Sequence, residues 1–184
     1  MRAPALSMPL RRQAFTLIEA AIVLGIIGLV LSGIWAATSV VRREASTQNS
    51  IQHIAVIAQN IRKLYSGRSA FTSAPGTDIT QMLVNAGSFP REMFEDPTSV
   101  IPRTDFGTPV RVLISTSTQF QIVLDPNLPA DVCGTILTKT TGVGRDPGLV
   151  EAIVDGVAFN DLSAIGVSSI PANCSGITFT FNLN

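Results

Sequence analysis

One apolar segment near the N-terminus constrains this chain more than any other feature of its 184 residues. The segment runs from Phe15 to Val41 and contains a single charged residue, Glu19. At about 1.5 Å per residue, a helix of that length spans roughly 40 Å, which exceeds the ~30 Å hydrocarbon core of a bilayer. Residues 1–14 before it contain three arginines and no acid, which predicts that a membrane helix would keep its N-terminus in the cytoplasm.

The length of this segment leaves three interpretations. A cleaved secretory signal has an apolar region of only about 7–15 residues, which is shorter than Phe15–Val41. A plain membrane anchor fits the length but leaves Glu19 unexplained, and a carboxylate in a membrane helix is costly and usually functional. The third interpretation gives Glu19 a role and depends on the residues around it.

The composition excludes several function classes. Thirteen basic residues balance thirteen acidic ones and form no stripe, so the electrostatic footprint of a nucleic-acid-binding protein is missing. One histidine, His53, and two cysteines are too few for a zinc site with several Cys and His ligands. No motif predicts a catalytic site, a metal site or a cofactor, so we expect a protein that is not an enzyme.

Helical patterning continues beyond the apolar segment. Apolar residues recur at helical spacing and predict one buried face: Ile51, Ile54, Ala55, Ala58, Ile61 and Leu64. With Gly67 as a stop, one helix over Phe15–Ser66 is predicted, its first half protruding and its second half packed on a domain. His53 lies off that face and is expected at its boundary.

The remaining pattern predicts an α+β domain with an antiparallel sheet against the helix. Residues 78–86 indicate a short helix capped by Asp78, and residues 128–138 indicate another helix. The predicted strands are Pro109–Ser115 and Thr118–Leu124, which form a hairpin, and Ile177–Leu183. Val150–Phe159 is ambiguous between helix and strand.

The third interpretation of the N-terminus comes from a resemblance. Residues 11–19 read RRQAFTLIE and closely resemble the class III signal of type IV pilins and pseudopilins. In that family a prepilin peptidase cuts before the Phe and methylates the new amine, which implies cleavage between Ala14 and Phe15 and N-methylation of Phe15. Glu19 then takes the place of the family's conserved fifth mature residue. Ala14 stands where the family normally has Gly, and both residues are small.

The physical chemistry of Glu19 agrees with this resemblance. A carboxylate in hydrocarbon requires a partner, and cleavage would create an ammonium on Phe15. The Phe15 amine of a neighbouring subunit would supply that partner during filament assembly. The alternatives are that Glu19 pairs with its own amine or extends to the membrane interface.

Several stretches of the domain resemble type IVb pilins of the thin-pilus and bundle-forming group: residues 60–67, 80–90, 106–112, 128–133 and 174–181. The short leader and the first mature residue, Phe15, are more similar to type IVa pilins. The last two stretches contain Cys133 and Cys174 and resemble the group's C-terminal disulfide region. An even cysteine count in an exported domain also favours a disulfide, although two buried free thiols remain the alternative.

The resemblance implies a type IV pilin-like fold with a leader at 1–14, a transmembrane and filament-core helix at 15–41, and a periplasmic or extracellular domain at 42–184. It implies a structural subunit of a pilus, most closely type IVb, that begins as an inner-membrane precursor and ends in a surface filament. The implied partners are further copies of the chain, the prepilin peptidase, the assembly platform and minor pilins. The alternatives are a minor pilin or a type II secretion pseudopilin, and a membrane-anchored periplasmic enzyme.

Overall fold

The computed structural model describes residues 16–96, 99–125, 127–165, 170–171 and 174–183. The chain divides into two compact units between Arg42 and Arg43. The first helix, α1 (Leu17–Leu64), contributes to both of them. It ends two residues before the predicted Ser66, and Gly67 follows with a φ of 94°, a left-handed conformation that favours glycine.

The part of α1 that belongs to the second unit forms one wall of a hydrophobic core. Its buried apolar side chains are Ile54, Ile57, Ala58 and Ile61. Leu64, predicted for the same face, is instead 47% exposed because it is the last residue of the helix. Ile57 was missing from the predicted set, although it lies three residues from Ile54 and four from Ile61.

Five antiparallel strands form the opposite wall. They are β1 (Val110–Thr116), β2 (Gln119–Leu124), β3 (Leu149–Val154), β4 (Val157–Phe159) and β5 (Ile177–Asn182), in the spatial order β1-β2-β5-β3-β4. Alternate residues of β1 and β2 are buried, and β5 buries Ile177 and each residue from Phe179 to Phe181. Ile122 lies opposite both Val112 and Phe179. The predicted α+β fold, with an antiparallel sheet against the helix, is confirmed.

The ambiguous stretch Val150–Phe159 is a β-hairpin made by β3 and β4. Its turn residues, Asp155 and Gly156, have φ values of 47° and 87°. Positive φ at both central residues is the requirement of a type I′ turn, for which Asp-Gly is a preferred dipeptide. That dipeptide was the sequence signal that could have resolved the ambiguity.

Two short helices complete the core, α2 (Thr80–Asn85) and α3 (Ala130–Thr141), with single 3₁₀ turns at Arg91–Met93 and Leu162–Ala164. The predicted cap of α2 is wrong in detail. Asp78 accepts a hydrogen bond from the Thr80 N–H at 2.8 Å, but its backbone forms a bridge with Leu113 of β1, so the helix begins only at Thr80. The connection before α2 therefore covers the outer edge of β1, where the Ile79 N–H also donates to the Val112 carbonyl.

Candidate functional site

The first part of α1 presents an uncovered apolar surface. Each described side chain between Leu17 and Arg42 is exposed, including Trp35 at 79%. The helix is long and apolar enough to cross a membrane, and its most apolar stretch is not buried at all. Contiguous apolar surface of this extent marks a region that binds lipid or other protein.

Glu19 lies in the first turn of this segment. Thr16 precedes the helix, and the Glu19 N–H donates to the Thr16 carbonyl at 3.0 Å and to its hydroxyl at 3.4 Å. The spacing Thr-x-x-Glu is that of a capping box, and an acid here also lies near the positive end of the helix dipole. Within the described residues, Glu19 has no ion-pair partner. The sequence contains this capping signal, but Thr16 was not predicted to cap the helix.

The two residues of the predicted cleavage site, Ala14 and Phe15, lie outside the described residues. Their roles in cleavage and N-methylation therefore stay predictions. The structure does describe the next residue, Thr16, which is the last residue before α1.

Two ion pairs join α1 to α3 in the second unit. Arg43 Nη2 lies 2.7 Å from Asp131 Oδ1, and Lys139 Nζ lies 2.7 Å from Glu44 Oε1. The hydrogen bond from Lys139, with a smaller one from Gln48, lowers the pKa of Glu44. All four paired side chains are more than a third exposed, so each pair contributes little stability.

A more buried cluster holds the other end of α1. Arg62 donates to both oxygens of Asp146, at 2.7 and 2.9 Å, and its Nε donates to the Asn182 carbonyl at 3.1 Å. The guanidinium also lies 5.8 Å from the centre of the Phe181 ring. Hydrogen bonds from Arg62 and from the Gly148 N–H lower the pKa of Asp146, although its partial burial opposes this.

The bidentate geometry of this cluster connects three parts of the second unit: α1, the loop after α3, and β5. The Arg62 guanidinium lies close to the backbone of Gly148, where a Cβ would collide with it, so this approach requires glycine. Sequence reasoning missed this cluster, since Arg62 and Asp146 are far apart in the chain and neither lies in a recognisable motif.

Cys133 of α3 and Cys174 form a disulfide with a Cα–Cα distance of 5.7 Å. Both cysteines are buried, at 0% and 1% exposure. The predicted C-terminal disulfide region is confirmed. The segment after Cys174 is held by Asp155, whose carboxylate accepts hydrogen bonds from the Ser175 N–H and hydroxyl and from the Gly176 N–H. This carboxylate positions the start of β5 and was not anticipated.

His53 lies at the boundary of the buried face of α1. Its side chain is 12% exposed, and its Nε2 is 3.8 Å from a carboxylate oxygen of Glu92. In the part of the chain that the structure describes, no group of three or more His, Cys, Asp and Glu side chains could hold a metal ion.

Two family models match this chain. The prokaryotic N-terminal methylation motif matches residues 9–35, and the PilS N terminal model matches residues 43–182, about three quarters of the chain. The chain belongs to the PilS N-terminal family. The PilS match begins at Arg43, where the second compact unit also begins, and the methylation motif includes Ala14, Phe15 and Glu19. No curated protein matches the chain.

Both matches are typical of type IV pilins, so the resemblance to type IV pilins is confirmed, and the type IVb subtype stays a prediction. The chain is a type IV pilin-like structural subunit, and its families are those of structural pilins, which are not enzymes. Pilin families imply self-assembly into pili and processing by a prepilin peptidase. The methylation motif and the apolar helix fit an inner-membrane precursor that becomes part of a surface pilus.

Proposed function

We propose that this chain is the precursor of a type IVb pilus subunit that polymerises into a surface filament. Residues 1–14 are the leader, residues 15–41 hold the precursor in the inner membrane and later form the filament core, and residues 42–184 form the filament surface. The observation that carries this proposal is the exposed apolar segment of α1 in a chain whose remainder matches the PilS N-terminal family.

The exposed apolar segment explains why both a membrane and a filament suit this chain. Leaving its large side chains in water would cost about 25 cal/mol per Å² of apolar surface, so the segment requires a cover at each stage. Lipid tails and the side chains of neighbouring subunits are similarly apolar, so transfer from bilayer to filament core loses little of that stabilisation. The domain meanwhile keeps its own core.

Glu19 gives the proposed filament its register. The Phe15 amine exists only after the leader is removed, and a carboxylate in the apolar core of a filament requires such a cation. We assign the pair to Glu19 of one subunit and Phe15 of its neighbour, with Phe15 also N-methylated by the peptidase. The capping geometry at Thr16 holds Glu19 at the helix start, where this contact would form.

The proposed partners follow from the same assignment. The precursor meets the prepilin peptidase at the membrane with its N-terminus in the cytoplasm, and the assembly platform and minor pilins then incorporate the mature subunit into the filament. Adhesion, bundle formation or conjugative mating would depend on the exposed domain surface. The subtype assignment is supported by the resemblance of several stretches of the domain to type IVb pilins and by the C-terminal disulfide.

Intact-mass analysis of the protein from membranes and from sheared surface fibres tests the proposal. We expect fibre subunits that begin at an N-methylated Phe15, with the precursor confined to the membrane. Ala14→Gly should be processed at least as fast as the natural chain, and Ala14→Leu should accumulate as precursor. Fibre subunits that still contain residues 1–14 would overturn the proposal, and a very low copy number in the fibres would favour the minor pilin or pseudopilin alternative.

A further inference from the structure

A groove lies in the connection between α1 and β1, beside α2. Its volume is about 560 Å³, and its main lining side chains are Val84, Phe89, Arg91, Phe94, Glu95 and Asp96. The floor is apolar, with Phe89 buried and Val84 and Phe94 half-buried. The rim carries two carboxylates and one guanidinium, and the exposed Glu95 side chain has no partner among the described residues.

A knob with complementary properties lies in the loop after α3. We define the knob as residues 142–145, which contain a fully exposed valine, Val143, and an exposed arginine, Arg145. Gly144 has a φ of 83°, and this left-handed turn presents Val143 to solvent. The neighbouring Asp146 is bound to Arg62, so the base of the loop is fixed. The Arg145 side chain has no partner in the described part of the chain.

The sheet topology places the groove and the knob beside different strands, so they are two separate surfaces of the domain. The groove adjoins α2, which packs beside β1, the first strand in the spatial order of the sheet. The knob leads into β3, which is next to last in that order. Two different surfaces that complement each other form a heterologous contact, which can repeat along an open assembly. A two-fold dimer instead buries the same surface on both copies.

We propose that the knob of one subunit inserts into the groove of a second copy of this chain, with Val143 on the apolar floor and Arg145 paired with Glu95. A single exposed valine needs no explanation by itself. Here the valine is adjacent to an unpaired cation, and the apolar groove has an unpaired carboxylate at its rim. This contact rests on the proposed filament-forming function and names the domain surfaces through which the subunits meet.

Cysteine cross-linking between two co-expressed chains tests the contact. One chain carries Val143→Cys and the other carries Val84→Cys, and sheared fibres that contain both are analysed on non-reducing gels. We expect a covalent dimer only when both variants are present. The matched control replaces Val143→Cys with Val157→Cys, an exposed valine on β4, and should give no dimer. Mixed fibres without the Val143–Val84 dimer, or with equal dimer from the control, would overturn the proposal.

Charge reversal provides a test that needs no engineered thiol. Arg145→Glu and Glu95→Arg should each lower the fibre yield about threefold or more, because each turns an attraction into a repulsion. The double variant should recover most of the yield. Normal yield from both single variants, or no recovery in the double variant, would refute the contact. If the natural chain itself forms no fibres, the proposed function fails too, whereas fibres without these couplings refute only the contact.

Discussion

Substitutions at Glu19 can separate two roles of this residue, helix capping and charge pairing. Its position in a Thr-x-x-Glu capping box would also suit Gln, whereas the proposed pair with the Phe15 amine requires a charge. We expect Glu19→Val and Glu19→Gln to insert into the membrane and to be processed, but to be lost from sheared fibres. Comparing processed membrane protein with fibre yield measures this. Normal fibres from Glu19→Gln would show that capping, and not charge, is the role of this residue.

Arg62 connects three separate parts of the domain. Arg62→Ala leaves Asp146 and the Asn182 carbonyl without their donor, so we expect the free energy of unfolding to fall by about 2–4 kcal/mol. Arg111→Ala is the matched control, since Arg111 forms a similar bidentate pair with Asp125 but is 47% exposed. Its cost should be about 1 kcal/mol or less. Urea unfolding of both variants compares them, and equal losses would contradict the assignment.

Asp146 adds a pH dependence to the same cluster. Its pKa is lowered in the folded state, mainly by Arg62, so its contribution to stability is complete above the unfolded value of about 4. The contribution is lost as the pH falls through the lowered folded pKa. We therefore expect Asp146→Asn to be less stable than the natural domain at pH 7, and the difference to shrink as the pH falls below about 4. A difference that stays constant down to pH 2 would exclude this linkage.

At the scale of elements, the disulfide is the constraint that joins α3 to the start of β5. A bridge between residues 41 apart restricts the unfolded chain by about 4 kcal/mol in the chain-entropy model. We expect Cys133→Ser and Cys174→Ser to lower domain stability and folding yield while membrane insertion persists. The double variant controls for a single unpaired thiol. Stability unchanged in all three variants under oxidising conditions would show that the bridge is dispensable.

The helices and strands also show which elements the sequence pattern predicts and which it does not. The final strand and the β1–β2 hairpin were predicted within about two residues, because their alternation reflects one buried and one open face of the sheet. Val150–Phe159 remained ambiguous because its apolar run is short enough for either element, and only the Asp155-Gly156 turn decides it. The cap of α2 was misplaced because Asp78 also pairs with β1, a contact between residues that are distant in sequence.

At the scale of the whole molecule, the second compact unit has a hydrophobic core of its own. Buried side chains from α1, β1, β2, β3 and β5 form it, and Phe159 of β4 packs against it. We therefore expect residues 43–184, expressed for export without the apolar segment, to fold as a soluble, disulfide-bonded domain. This domain should not form fibres, because the proposed core of the filament has been removed. Gel filtration and a cooperative unfolding transition measure the outcome. An insoluble or non-cooperative product would show that the domain depends on the first part of α1.

The local sequence by itself determined the properties that depend on nearby residues. The apolar length of residues 15–41 and the basic residues before it predict the membrane segment without a fold, because a membrane span depends on the length and apolarity of one continuous stretch. The residues around Glu19 carry the resemblance to the pilin signal. The helical face around Ile54 and Ile61 follows from the helical repeat alone. The resemblance to type IV pilins, which the family matches confirm, depended on the same local signals.

Only the tertiary structure decided which distant residues meet. The pairs Arg62–Asp146, Arg43–Asp131 and Lys139–Glu44 join positions separated by 84, 88 and 95 residues, and no local pattern selects one partner among so many charges. The strand order, which places β5 between β2 and β3, likewise depends on how the buried faces fit together. Side-chain periodicity specifies which face of an element is buried, whereas packing against the other elements specifies what that face contacts. For this reason the groove and the knob could be recognised only in the folded domain.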